Sequence, residues 1–328
     1  QLGDLIAGAG VNDLKLMEMG RATRDATGAN RDTTDGKPEM GDHVVAFRAE
    51  TPDGTYAVKA YHLDTDGDGL LDHFAQPAHG GYRCVAPYLR GFGASSSPTD
   101  VAAYRPKFLV QDLAALIAAE CGEGAPLECL VAHDWGGAVA WNLANQHPQL
   151  LRRLAIVNSP HPGAFVRELQ HNAAQQAASQ YMHFLCRPDA EALLAENDFR
   201  RLFAFFNAPD GTPPPWLTEA VRQQYRALWQ QGLTGACNYY RASPLRPPRE
   251  GDPGAAAVSL PESMLEVAVP TLVLWGMDDP ALLPGLLDGL PGWVPKLQLQ
   301  QVAGASHWLV HEQPERLVRA LGDFLLAS

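Results

Sequence analysis

The stretch ECLVAHDWGGAVAW, residues 128–141, decides the fold. Its first part, 128–132, is a short apolar run of the kind found in strands buried on both faces. A helical pattern follows over 137–147. Between the two stands Asp134, with small residues two positions away on either side, Ala132 and Gly136. A strand that turns into a helix this abruptly leaves little room for side chains at those flanks, and it lifts the central residue above the strand ends. That residue then sits at a helix N-terminus, where unpaired N–H groups and the helix dipole favour an anion. An ionised carboxylate so placed is a candidate nucleophile toward an electrophilic carbon. The plainer alternative is an Asp that caps the helix and does nothing else. The glycine pair, the preceding strand and the partners further along the chain favour the nucleophile.

Outward from this stretch, short apolar strands at 83–87, 154–157, 271–275 and 297–302 alternate with helical patterns at 108–121 and 312–326. Alternation of this kind predicts an α/β fold, a mostly parallel sheet covered by helices on both faces. Residues 43–49 and 56–61 flank the turn TPDG and read as a hairpin. The block 163–262 is helical and aromatic, then Pro-rich at 244–261, and is placed as a helical cap over the strand ends. The core is then 43–162 with 263–328. Residues 1–42 are polar and Gly/Asp/Thr-rich after a short apolar opening, show neither period, and read as a flexible arm.

The 328 residues are 46% apolar and 19% charged, enough to bury a core, which excludes wholesale disorder. Lys plus Arg is 25 against 37 Asp plus Glu, a net charge of −12, and no basic cluster offsets it. Such a surface repels phosphate backbones, so no nucleic-acid partner is expected. Five cysteines (84, 121, 129, 186, 237) lie scattered without metal-ligand or disulfide spacing, which points to a reducing, cytoplasmic location and no metal site. No apolar run is long enough to span a bilayer and no charged-then-apolar leader opens the chain, so no membrane partner is expected.

A nucleophilic Asp needs a base and a group to orient that base. Asp278 and Asp279 follow strand 271–275, and His307 lies on the loop after strand 297–302, giving the chain order nucleophile, acid, histidine. Asp279 is chosen as the buried orienting carboxylate, with Asp278 facing solvent. His307 is chosen among 11 histidines because it lies after the last strand and before the last helix. His311 is expected to face solvent at the start of that helix.

The stretches YRCVAPYLRGFGASSSP (82–98), VAHDWGGAVAW (131–141), IVNSPHPGAF (156–165), NYYRA (238–242), WGMDDPAL (275–282) and GASHWLVHEQP (304–314) resemble the α/β-hydrolase superfamily, and within it the epoxide hydrolase branch. The resemblance runs from residue 82 to the C-terminus. It implies the α/β-hydrolase fold with a helical cap, and a cofactor-independent opening of a small apolar epoxide by Asp134, with water completing the reaction to a diol. It also implies two cap tyrosines that bind the epoxide oxygen: Tyr181 in YMHFLCRP and Tyr240 in NYYRA. A phenol stays protonated at neutral pH and donates as the alkoxide forms. Tyr239 is left as a packing residue. The backbone N–H of Trp135 is one oxyanion-hole donor. HDWGG is shared with haloalkane and fluoroacetate dehalogenases, where the Trp135 indole N–H would serve a departing halide. A dehalogenase is therefore the alternative enzyme, and a catalytically silent binding protein the alternative outside enzymes.

The chain departs from the family at one place. The resemblance predicts a central strand and a His-Gly-x-Pro turn before YRCVAP, and residues 55–81 lack that turn. Either the central strand is missing with its turn, or residues 56–61 serve as that strand and His62-Leu63 stand where His-Gly would. His79-Gly80 abuts the next strand and is excluded. The turn carries the second oxyanion donor, so its loss predicts slow hydrolysis of the ester. Within the same region, Asp64 to Asp72 resembles the opening of a calcium loop but has Ala75 at the twelfth position, and reads better as a solvated acidic turn. Tyr88 stands where the family usually has Asp, a difference in loop packing. The aromatics Phe184, Phe203, Phe205, Phe206 and Trp216 suit an apolar pocket or the core of the cap equally well.

Overall fold

The structure, a computed structural model, describes residues 85–93 and 95–326, and the backbone of the strands at 15–18, 23–24, 30–31, 44–51 and 54–61. Strands β1 (Lys15–Glu18), β2 (Thr23–Arg24) and β3 (Asn30–Arg31) precede the hairpin β4 (Val44–Thr51) and β5 (Gly54–Tyr61). The chain continues through β6 (Val85–Pro87), α1 (Pro106–Cys121), β7 (Leu130–His133), α2 (Asp134–Gln146) and β8 (Leu154–Val157). A run of helices follows: α3 (Pro162–His171), α4 (Ala173–Ala178), α5 (Tyr181–Leu185), α6 (Ala190–Ala204), α7 (Glu219–Trp229) and α8 (Thr234–Ala242). The last part is β9 (Thr271–Gly276), α9 (Leu290–Trp293), β10 (Leu297–Val302), α10 (Leu309–Glu312) and α11 (Pro314–Leu326).

Strands β7, β8, β9 and β10 form a parallel sheet in the order β10-β9-β8-β7, with Leu154 in register with both Leu130 and Thr271. Strands β1, β4, β5 and β6 form an antiparallel sheet in that order. β5 therefore lies between β4 and β6, which removes the reading of 56–61 as the central strand beside β7. Among the described residues no strand joins β6 to β7. The sequence features at 62–84, including Asp64 to Asp72 and His79-Gly80, lie outside the described residues.

Burial corrects several strand readings. β8 and β9 are buried along their whole length, as parallel inner strands must be. β6 and β7 are not: both are only partly covered, and Val131 is 40% exposed. β10 is the sheet edge and leaves Gln298, Leu299 and Gln301 in solvent. Within the stretch read as an arm, β1 pairs antiparallel with β4. Backbone pairing at a free edge needs no side-chain period, so the pattern gave no sign of it.

One apolar cluster joins α1, α2, β8 and β9, with Trp141, Leu143, Leu154, Ile156 and Trp275 nearly inaccessible. Each such side chain contributes about 1.5–3 kcal/mol by leaving water. Ala164, Phe165 and Leu169 of α3 belong to this same cluster. The helical layer with its own core begins later, around Leu185, Leu194, Phe203, Phe206 and Cys237. α3 thus shares its apolar side chains with the cluster around β8 and β9 rather than with the separate core of the helical layer.

The helical layer docks on the sheet through a backbone contact. A Cβ on Gly235 of α8 would lie 2.4 Å from the Cα of Gly91, and one on Gly91 would lie 2.8 Å from the Cα of Gly235. Tyr239 donates to the carbonyl of Arg90 at 2.9 Å, and Asn238 to that of Thr99 at 3.2 Å. Arg90 is in turn held by a buried two-point pair with Asp112, at 2.9 and 2.7 Å. The packing role read for Tyr239 is what this buried ring does, and it fixes the position of its neighbour Tyr240.

Candidate active site

The parallel strands end where the side chains of the candidate site gather. β7 runs one residue further than its apolar pattern, to His133, and α2 starts at Asp134 itself rather than near Gly136. Asp134 takes φ 49°, a left-handed conformation that costs a non-glycine residue about 1–2 kcal/mol. The turn is clamped from below: the Ser159 hydroxyl donates to the Asp134 carbonyl at 2.7 Å. The sequence pattern singled out Gly136, but a Cβ there would meet only Leu89, at 4.0 Å. Gly137 is the residue the packing demands, since its Cβ would lie 2.3 Å from that of Ser159.

Asp134, Asp279 and His307 come together. His307 Nε2 lies 3.3 Å from Asp134 Oδ1, and His307 Nδ1 lies 2.8 Å from Asp279 Oδ2. The two carboxylates differ in access: the Asp134 side chain is 42% exposed and that of Asp279 is 0% exposed. Asp279 accepts further bonds from Asn158 Nδ2 and from the N–H groups of Ala281 and Leu282, each at 2.9 Å. Asp278 is exposed, as expected. His311 differs from its reading: it is half-buried, stacked on Trp216 at 4.4 Å, because the helical layer reaches down over α10.

Electrostatics follow from this geometry. Burial opposes charge on His307, but the hydrogen bonds and charges of Asp134 and Asp279 outweigh it and push the imidazole up to about 10. Partial loss of water at its inner side raises the Asp134 carboxyl, yet His307 first, then His133 and the Trp135 N–H, hold it below its usual range. Tyr181 and Tyr240 lie with ring centroids 6.0 Å apart, close to edge-to-face. Burial first, and then the nearby Asp134 charge, raise both phenols above their ordinary value. Trp135 packs edge-to-face on Tyr240 at 5.1 Å.

Two residues that the sequence did not mark complete the arrangement. Asn158, φ 37°, ends β8; besides holding Asp279 it accepts from the Gly276 N–H at 2.9 Å, so it ties two strand ends together. His133 donates from Nε2 to the His307 carbonyl at 2.8 Å. Burial and the neighbouring His307 push its imidazole down to about 4, so it stays neutral there. Its place directly before Asp134 was the one available signal; Asn158 offered none beyond its position at a strand end.

Stability should therefore peak near pH 6.5. His133 and His161, both lowered from 6.5 to about 4, bind fewer protons folded than unfolded, so their contribution holds above pH 6.5 and is lost as pH falls through 4. His307, raised from 6.5 to about 10, contributes fully below pH 6.5 and loses its share as pH rises through 10. A thermal-melting series from pH 4 to 10 is expected to fall on both sides. In Asp134→Asn the alkaline fall should be shallower. A Tm still rising at pH 10 would contradict the pairing.

Among the described residues no group of three or more His, Cys, Asp or Glu is placed to hold a metal ion, and no helix is long and apolar enough to cross a membrane. The four cysteines described, 121, 129, 186 and 237, are free thiols.

An exposed carboxylate beside an imidazole, with the other imidazole nitrogen on a buried carboxylate, is an arrangement suited to nucleophilic attack followed by base-assisted hydrolysis. Known proteins carry the same architecture. The model of the alpha/beta hydrolase fold family matches residues 62–314. The AB hydrolase superfamily protein YfhM of Bacillus subtilis is 34% identical over 286 residues, covering 86% of this chain and 93% of that protein. Epoxide hydrolase 3 of Xenopus tropicalis is 32% identical over 264 residues, covering 78% of this chain and 66% of that protein. The chain thus spans most of the bacterial relative and about two thirds of the vertebrate one. Among solved structures, a Bacillus megaterium epoxide hydrolase in complex with an inhibitor superposes with a TM-score of 0.74 at 26% identity, over 85% of this chain and 100% of that one.

Proposed function

The chain belongs to the α/β-hydrolase fold family, in its epoxide hydrolase branch, and on that premise we propose that this hydrolase opens small apolar epoxides to diols through an ester on Asp134. The observation that carries the reading is an accessible carboxylate, 42% exposed, 3.3 Å from an imidazole and close to two protonated phenols. Asp134 attacks an epoxide carbon, the C–O bond breaks, and the alkoxide takes a proton from the phenol pair of Tyr181 and Tyr240. Ester formation removes the Asp134 charge, one of the two anions that hold the proton on His307. The imidazolium then surrenders that proton, which returns to the phenolate. Neutral His307 next takes a proton from water as the water attacks the ester, and the Trp135 N–H receives the oxyanion. Collapse breaks the bond from the acyl carbon to the alkyl oxygen, the second proton of the water passes from the new carboxyl to that departing oxygen, and the diol leaves with Asp134 ionised and the imidazole charged.

Two phenol rings packed together, with Tyr240 against the Trp135 ring, suit an epoxide oxygen, which gains a proton as it is freed, better than a halide. The free thiols suit a reducing compartment, and we place the protein in the cytoplasm. The absent His-Gly-x-Pro turn adds a kinetic expectation. Losing one oxyanion donor costs about two to three orders of magnitude in rate, and here the loss falls on the second half-reaction. Mixing the protein with styrene oxide should therefore give diol slowly, with the ester accumulating. Intact-protein mass spectrometry should show a burst of adduct before steady state. Halide release from a haloalkane, or neither product, would overturn the assignment, and fast turnover without adduct would overturn the kinetic expectation.

A further inference from the structure

Among the described aromatics of the helical layer, only Phe205 is exposed. Phe203 and Phe206 are 6% and 7% exposed, while Phe205 between them is 40% exposed. Phe184 and Trp216 are also partly covered within that layer's own core. The uncovered ring is not loose. It meets Tyr181 edge-to-face, with centroids 5.8 Å apart at 68°. The Phe205 carbonyl accepts from the indole Nε1 of Trp308 at 3.1 Å. Trp308 directly follows His307, and its ring stands 5.0 Å from that imidazole at 87°. Phe205 is thereby tied to the residue that would bind the epoxide oxygen and to the neighbour of the residue that would activate water.

The backbone leading to it is also unusual. Asn197, Asp198 and Phe199 adopt φ of 52°, 57° and 59° in succession, a left-handed turn of three non-glycine residues inside α6. The break sets the segment from 200 onward at its own angle. Arg226 holds the turn through Asp198 at 2.7 Å, and Arg201 ties back to the Leu193 carbonyl at 3.1 Å. Strained backbone of this kind persists where the surroundings over-determine it, and here it delivers the one uncovered aromatic of the layer to the side of Tyr181.

We propose that Phe205 is a specificity-determining residue of this site, presenting its ring to the aryl substituent of a bound epoxide and held in place by the Trp308 hydrogen bond. This rests on the epoxide reading above. An aryl group set against Phe205 covers surface that a small aliphatic epoxide leaves in water, so the preference lies in binding rather than in the chemical step.

The test compares styrene oxide with propylene oxide. In Phe205→Ala, KM for styrene oxide should rise about ten- to thirtyfold, with kcat within about threefold and KM for propylene oxide within about twofold. Phe205→Leu keeps apolar area but loses the flat edge and should fall between. Trp308→Phe keeps a ring but loses the donor, and should shift the same KM ratio in the same direction by less. Equal changes for both substrates, or none, would overturn the inference while leaving the enzyme assignment intact. Absence of diol from either substrate with the unmodified protein would instead overturn the assignment itself.

Discussion

A chain carrying Tyr181→Phe together with Tyr240→Phe forms no diol above background, and no ester adduct either. On the proposed mechanism, ring opening makes an alkoxide to which both phenols would donate. Each donor removed from such a site costs about two to three orders of magnitude, roughly 2.7–4 kcal/mol. The two rings lie side by side, so the remaining phenol serves in part, and either single variant should keep a measurable rate. The double variant should lose at least about four orders of magnitude in kcat/KM. The substitutions remove one oxygen each and keep the rings, so the packing of Tyr240 on Trp135 at 5.1 Å and of Tyr181 on Phe205 at 5.8 Å survives. A circular-dichroism melt near that of the parent is the control. Parent-like diol formation in the double variant would remove epoxide chemistry from the account.

The second large effect concerns His307→Gln. Gln cannot accept a proton at neutral pH, so water is no longer activated, and ester hydrolysis should slow by at least about a thousandfold. Ester formation continues, because Asp134 keeps the Trp135 N–H that favours its ionised form. The adduct should approach one per chain and persist for hours. The variant also leaves Asp279 short of one partner, though Asn158 and two backbone N–H groups still hold it. Stability should fall modestly, by about 1–3 kcal/mol. A variant that turns over at the parent rate would show that His307 is not the base.

Much of this arrangement is legible in the sequence. The elbow around Asp134 announces itself through a strand, a small residue on each side and a helix, and the order Asp134, Asp279, His307 is set by which loops follow which strands. The tyrosines were different. Tyr181 stands on a single short turn of helix with no periodic signal, and only the family resemblance marked it. The glycine that the turn requires was misplaced by one, because adjacent glycines look alike until Ser159 is packed against one of them. α3 carries an apolar face that fits either the sheet or the helical layer, so its assignment to the layer could not be decided by pattern. Asn158, His133 and Trp308 act through single hydrogen bonds between segments distant in sequence, and no spacing rule encodes those. β1 joins its sheet by backbone pairing, which leaves no mark on side-chain order.

The most direct test of the central claim is a single turnover of the unmodified protein, in excess over styrene oxide, in water enriched in oxygen-18. If Asp134 is the nucleophile, the diol from that first turnover carries ordinary oxygen taken from the carboxylate, and the label appears in the peptide that contains Asp134. Label in the first-turnover diol, with an unlabelled Asp134 peptide, would mean that water attacks the epoxide directly, and the ester mechanism would be wrong.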